Sequence, residues 1–164
     1  MAQFVYALAA KWDAKPFTRV SARSAGAQSK TEIFTLEVPD TANADSVIVA
    51  AVPVDAVISS IRFGCDDLGT AGTVSLGFYK RNVDGTYTAV SSAAIASNID
   101  VNTAAVSMTD YRFTVLNIDT VEKAAWELAG LSSRPSYGDL YLGLTTATGT
   151  TVVGTASMIV TYSV

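Results

Sequence analysis

Apolar positions along this chain come in short runs broken by Pro, Gly, Asn and Asp, the pattern of a chain built from strands rather than helices. Residues 33–38 (IFTLEV) are strand-like and stop at Pro39-Asp40. Residues 46–52 (SVIVAAV) are almost continuously apolar, which predicts a strand covered on both faces and ended by Pro53. Residues 57–63 (VISSIRF) run into the glycine-punctuated stretch GCDDLGTAG. Residues 73–80 (TVSLGFYK) alternate, with Val74, Leu76 and Phe78 on one side and Thr73, Ser75, Gly77 and Tyr79 on the other. Asn82-Val83-Asp84-Gly85 then signals a hairpin, because Gly takes positive φ without steric cost, and residues 86–90 form the return strand. Residues 91–109 are Ala/Ser/Asn-rich without a firm period and are expected to be a long connection, with a short strand or helical turn around 93–96. Further strands are expected at 111–116 (YRFTVL), 139–145 (DLYLGLT), 150–153 and 156–164.

One helix is expected, over about residues 120–129. Asp119-Thr120-Val121-Glu122 has the D-x-x-E form of a capping box and Gly130 stands where the helix should stop. Val121, Ala124, Ala125 and Leu128 would then share one face. About eight strands, long connections, one short helix and no fixed-period repeat predict an all-β fold. More specifically they predict a jelly-roll-like two-sheet antiparallel β-sandwich. The domain boundary falls between a basic extended N-terminal arm, residues 1–30, and the sandwich, residues 31–164.

Composition narrows the function. The chain has 164 residues, 49% hydrophobic and only 16% charged, enough for one domain with a real core. No apolar run reaches the roughly 18–20 residues needed to cross a bilayer, and MAQFVYALAA lacks the basic start of a signal peptide, so it is expected to remain in the mature protein. Histidine is absent, which excludes Ser-His-Asp and Cys-His catalysis within the chain and makes most transition-metal sites improbable. A single cysteine cannot form an internal disulfide. The net charge of −4 is uneven: residues 1–30 carry Lys11, Lys15, Arg19, Arg23 and Lys30 against Asp13, while the remainder has six basic and fourteen acidic residues. A basic arm on an acidic body suits contact with an acidic protein surface, of a neighbouring copy or another protein, or equally a solvated terminus. Nucleic acid is disfavoured, since the arm has no dense basic cluster and the acidic body would repel phosphate.

Three stretches invite a chemical reading. Cys65-Asp66-Asp67 could suggest a nucleophile, but two carboxylates raise a thiol's pKa rather than stabilise its thiolate. A calcium loop wants spaced acidic residues, and D-D-L-G lacks that alternation. The favoured reading is a β-turn in which Asp caps backbone amides and Gly69 takes positive φ. Tyr137, Tyr141, Phe78, Tyr79 and Tyr87 could form an aromatic platform for sugar, although core filling and subunit contact are the commoner uses. Gly64, Gly69 and Gly72 match no phosphate-binding loop, and no carboxylate pair can be placed for glycosidase chemistry. No catalytic, cofactor or metal site is assigned, and the chain is not expected to be an enzyme.

Residues 35–87 carry an apolar strand and then a P-x-x-A-x-I entry at Pro53, Ala56 and Ile58. After these come an acidic D-x-L-G corner at Asp66–Gly69 and a T-x-x-x-G-F/Y strand from Thr73 with Gly77. With the ending DLYLGLTTATGTTVVGTASMIVTYSV, this order resembles the small cement, or decoration, proteins of tailed-bacteriophage heads. The resemblance covers most of residues 32–164, apart from 91–138, which reads as an insertion. It implies a jelly-roll-like virion protein that binds the outer surface of the capsid as a homotrimer. Such a protein would bridge major capsid proteins, be made in the host cytoplasm and need no cofactor or membrane. Lys11, Trp12, Phe17, Arg19 and Arg23 are the expected anchors to capsid or neighbouring subunit, because interface cores favour aromatics and Arg. The competing expectation is a phage fibre or receptor-binding, lectin-like sandwich that recognises surface glycans, although residues 1–30 show neither the heptads nor the repeats of a fibre shaft.

Overall fold

A computed structural model describes residues 29–38, 45–69, 72–102, 104–112, 120, 122–148 and 152–164. Among them lie eight strands, β1 (Ser29–Val38), β2 (Ser46–Pro53), β3 (Val57–Cys65), β4 (Thr73–Arg81), β5 (Tyr87–Asp100), β6 (Val106–Asp110), β7 (Asp139–Thr148) and β8 (Gly154–Ser163). A single turn of helix, α1 (Ala125–Leu128), precedes β7. The strands form two four-stranded antiparallel sheets, in the orders β1-β8-β3-β6 and β2-β7-β4-β5. The first strand pairs with the last, the second with the seventh, the third with the sixth and the fourth with the fifth. That nested order is the jelly roll, a long hairpin folded over into two sheets.

The alternation in the sequence decides which faces meet. Register pairs Ile58 with Tyr162, Ile61 with Val160, Phe63 with Met158 and Cys65 with Ala156, and all eight side chains are buried in the first sheet. Opposite them lie Val74, Leu76 and Phe78 of β4, Leu140, Leu142 and Leu144 of β7, and Ala50 and Val52 of β2. These apolar faces remove each other from water and form one core. The hairpin at the middle of the chain is closed by backbone bonds from Asn82 N to Thr86 O (2.8 Å) and Gly85 N to Asn82 O (3.0 Å). Asp84 accepts from both the amide and the hydroxyl of Thr86, at 2.9 and 2.6 Å, and these bonds hold its carboxyl below the usual range.

Several expectations need correction. β2 is an edge strand, with Ala51 exposed and a bulge between Ile48 and Ala50, so its apolar run is not covered on both faces. Its terminal Pro53 suits an edge, where a missing N–H costs no ladder bond. The stretch 91–109 is not a connection. β5 continues to Asp100 and β6 begins at Val106. Small residues without alternation allow this because β5 is irregular: four residues, Ser92–Ile95, stand between partners that Gly77 alone separates on β4. Tyr111 and Arg112 lie in a helical turn after β6, not in a strand, and residues 113–116 lie outside the described residues. Val152 and Val153 belong to the exposed β7–β8 connection, with 150 and 151 outside the description.

The helix is shorter than its capping signal implied. Asp119 and Val121 lie outside the described residues, and α1 starts five residues later than Asp119-x-x-Glu122 suggested. Its free amides are satisfied by tertiary contacts instead: Ala125 N donates to Ala56 O (2.8 Å) and Trp126 N to Val54 O (3.2 Å). Glu127 accepts from Ala124 N at 2.8 Å, half of a capping box one turn further on. Gly130, at φ 80, ends the turn as expected.

One glycine fixes how β5 leaves the sheet. A Cβ at Gly77 would lie 2.2 Å from Ser91 O and 2.3 Å from the Ser92 carbonyl carbon, which are backbone atoms with no rotamer to relieve the clash. Gly77→Ala is therefore expected to cost at least about 2 kcal/mol through overpacking, measured by chemical denaturation. Wild-type stability in that variant would mean that β5 does not cross β4 so closely.

Candidate functional site

The acidic corner is built into the end of the sandwich. β3 runs through Gly64 to Cys65, and Asp66 N then donates to Thr155 O (2.9 Å) while Asp66 Oδ2 accepts from Thr155 N (2.9 Å). Asp67 Oδ1 accepts from Gly69 N at 2.9 Å, and Gly69 sits at φ 96. Leu68 is fully buried between them, bonded through its amide to Val101 O (3.0 Å) and through its carbonyl to Val152 N (3.3 Å). Both carboxylates are thus occupied by backbone amides, as the turn reading predicted. Cys65 is a buried, free thiol at the strand end, and burial first, then the charges of Asp66 and Asp67, push its pKa up, against a backbone hydrogen bond at Val106. No cluster of three metal-ligating side chains occurs among the described residues.

The five aromatic residues do not make one platform. Phe78 and Tyr79 are buried. Tyr79 packs over Gly143, and its hydroxyl bonds that of Thr145. Tyr87 and Tyr141 do meet, with centroids 5.0 Å apart, but at 73°, so their faces are not presented together. Tyr137 stands apart, in a recess of about 410 Å³ with Lys80, Val90, Leu131 and Pro135.

Near the helix, Arg112 is buried without forming an ion pair shown by any described residue. Its Nε donates to Ile58 O (3.1 Å) and an Nη2 to Thr120 O (2.7 Å), which ties the turn after β6 to the start of β3. Arg134 makes a bidentate pair with Asp55 across an exposed loop, with Nε–Oδ1 at 2.8 Å and Nη2–Oδ2 at 2.6 Å. Both arginines act as fasteners of connections. Neither role is legible from residue types, because Arg112 binds backbone carbonyls and Arg134 binds a carboxylate 79 residues away.

What remains exposed and ordered is a surface rather than a cavity. The outer face of the β1-β8-β3-β6 sheet carries Thr31, Ile33 and Thr35 beside Thr161, Ile159 and Ser157. Thr31 and Thr161 hydroxyls bond at 3.0 Å, and those of Thr35 and Ser157 at 3.1 Å. Ser59 adds a bond to Thr161 O (3.1 Å). Hydroxyls tied across strands have already lost rotamer freedom, so a partner laid on this face orders little more. Ile33, on the edge strand β1, is 70% exposed, and Met108, on the opposite edge strand β6, is 44% exposed and lies over Gly64. The expected anchors Lys11, Trp12, Phe17, Arg19 and Arg23 lie outside the described residues.

The start of β1 is pinned by charge. Lys30 and Glu32 form an ion pair, Tyr162 Oη donates to Glu32 Oε1 (3.0 Å), and Lys30 Nζ lies 5.8 Å from the Tyr162 ring centroid. The bond from Lys30, aided by that from Tyr162, holds the Glu32 carboxyl below its usual range in spite of partial burial.

No family model and no curated protein matches the chain. Among solved structures it is similar to a chain in the capsid of Ralstonia phage GP4, at 16% identity and a TM-score of 0.56, over 88% of this chain and 90% of that one. It is also similar to a chain in the cyanophage Pam1 capsid asymmetric unit, at 18% identity and a TM-score of 0.45, over 90% and 94% of the two chains. The chain is therefore a jelly-roll β-sandwich whose fold, nearly end to end, occurs in a phage capsid.

Two outcomes follow from this geometry. A buried thiol with a raised pKa should react with maleimide only as fast as the fold opens, and Cys65→Ser should cost about 1–2 kcal/mol for a buried hydroxyl while leaving the oligomeric state unchanged. Rapid labelling of the native protein at neutral pH would contradict the burial. Glu32, with its pKa lowered by folding, contributes stability that is present above the pKa of the unfolded glutamate and is lost as pH falls through the lowered one. Protection factors at the start of β1, corrected for the intrinsic pH dependence of amide exchange, should fall over that acidic window, and Glu32→Gln should flatten the dependence.

Proposed function

We propose that this protein is a structural component of a phage virion, a cement or decoration protein that binds the outside of the capsid as a homotrimer and bridges major capsid proteins. The observation that carries the reading is the jelly-roll strand order together with the structural likeness, over 88% of this chain, to a chain of the Ralstonia phage GP4 capsid. The resemblance of residues 35–87 and of the C-terminal segment to tailed-phage cement proteins supports the finer assignment. The hydroxyl-laddered outer sheet face, with Ile33 exposed on its edge strand, gives such a protein a preordered surface for a neighbour. Many weak contacts repeated over a lattice would supply affinity without a single hot spot.

In this reading the arm, residues 1–30, reaches across neighbours, and Lys11, Trp12, Phe17, Arg19 and Arg23 anchor it. The protein is made in the host cytoplasm, joins the outer capsid surface and performs no catalysis. Native mass spectrometry should give a trimer, and the protein should add saturably to undecorated heads, as read by electron microscopy. A monomer that ignores capsids would overturn the assignment. Specific sub-millimolar binding on a glycan array would instead favour a receptor-binding module.

A further inference from the structure

The four strands at sheet edges are not treated alike. β2 carries a bulge and ends in Pro53, β6 has only five residues and a register shift, and β5 is shifted three times against β4. Bulges, shortness and Pro are the devices by which proteins keep an edge from pairing with another chain. β1 has none of them. It pairs with β8 at ten consecutive positions without a shift, and among the described residues nothing pairs with its other side. Its two inward charges, Lys30 and Glu32, neutralise each other. Phe34 and Leu36, although on the inward face, are only half-buried, as are Val47 and Val49 on the strand across the sandwich. This flank is therefore a straight, open edge with apolar surface beside it.

Charge marks one end of that edge. Glu37 is exposed where β1 finishes, and Asp66 and Asp67 lie at the same end of the sheet, beyond the intervening β8. The 28 residues that precede β1 have the opposite sign, with Lys11, Lys15, Arg19 and Arg23 against Asp13. They join β1 at Ser29, the end of the strand away from Glu37, and a segment of that length would span roughly 90 Å if fully extended.

We propose that β1 receives, as an added strand, an extended part of residues 1–28 from a second copy of this chain, with the basic side chains of that segment toward the acidic end of the edge at Glu37. The inference rests on the trimer reading above. Main-chain hydrogen bonds to the open edge supply the affinity, and charge sets direction. Each copy gives one segment and accepts one, a head-to-tail contact that closes after three.

The test uses the full-length protein and a form lacking residues 2–28, compared by native mass spectrometry and hydrogen exchange. In the full-length trimer the edge-facing amides of β1 should be protected, and the deletion should speed their exchange by about tenfold or more while β8 keeps its protection. In a Cys65→Ser background, Thr35→Cys combined in turn with Thr18→Cys, Val20→Cys and Ala22→Cys should give disulfides between chains. Disulfides only within one chain would overturn the proposal, since each copy would then cover its own edge. A trimer whose β1 exchange is unaffected by the deletion would overturn it too, while leaving the trimer standing. A full-length monomer would remove both the trimer reading and this inference.

Discussion

The structure depends on one constraint, the antiparallel pairing of the first half of the chain with the second about the turn at Asn82–Thr86. Because β4 meets β5 there, β3 can meet β6, β2 can meet β7, and β1 closes against β8. Every strand then turns its alternate apolar residues toward the opposite sheet, and the two faces bury each other. A register slip of one residue in β8 would carry Met158, Val160 and Tyr162 to solvent together, which is why β1, β3 and β8 specify one another so tightly. The connections at the ends of the sandwich inherit their positions from this nesting.

That inheritance explains why the residues that look reactive are not. Cys65 is the last residue of β3 and faces the core, so its environment disfavours the thiolate. Asp66 and Asp67 spend their oxygens on the amides of Thr155 and Gly69, which lets the chain turn the corner without orphaned donors. Arg112 and Arg134 likewise serve connections, the first on carbonyls and the second on Asp55. Among the described residues these polar groups join segments, and the outer sheet face and the β1 edge are left free of them.

Those leftovers have a consistent character. The outer face of the β1-β8-β3-β6 sheet has hydroxyl pairs between β1 and β8, with exposed Arg62 on the neighbouring β3, and an interface on the hydroxyl pairs would lose little side-chain entropy. The neighbouring edge lacks the irregularities that protect β2, β5 and β6. A clean edge and a preordered face are both suited to contact with another chain.

The strands of the core were legible residue by residue where alternation or turn chemistry was strong. Val74, Leu76 and Phe78 face inward as their spacing requires, Asp84-Gly85 makes the hairpin, and the Asp66–Gly69 corner turns as its residue types demand. Period and turn chemistry are local properties, so the sequence by itself determined the all-β class and the sandwich faces. It did not determine that SVIVAAV is an edge, that the Ala/Ser stretch continues as β5, or that α1 begins at Ala125. Those depended on partners distant in the chain: Leu140–Leu144 for β2, the bare Gly77 over which β5 folds, and the carbonyls of Val54 and Ala56 that take up the helix amides. Edges, bulges and caps are settled by which backbone groups find partners after the sheets have closed, and only the tertiary structure decides that.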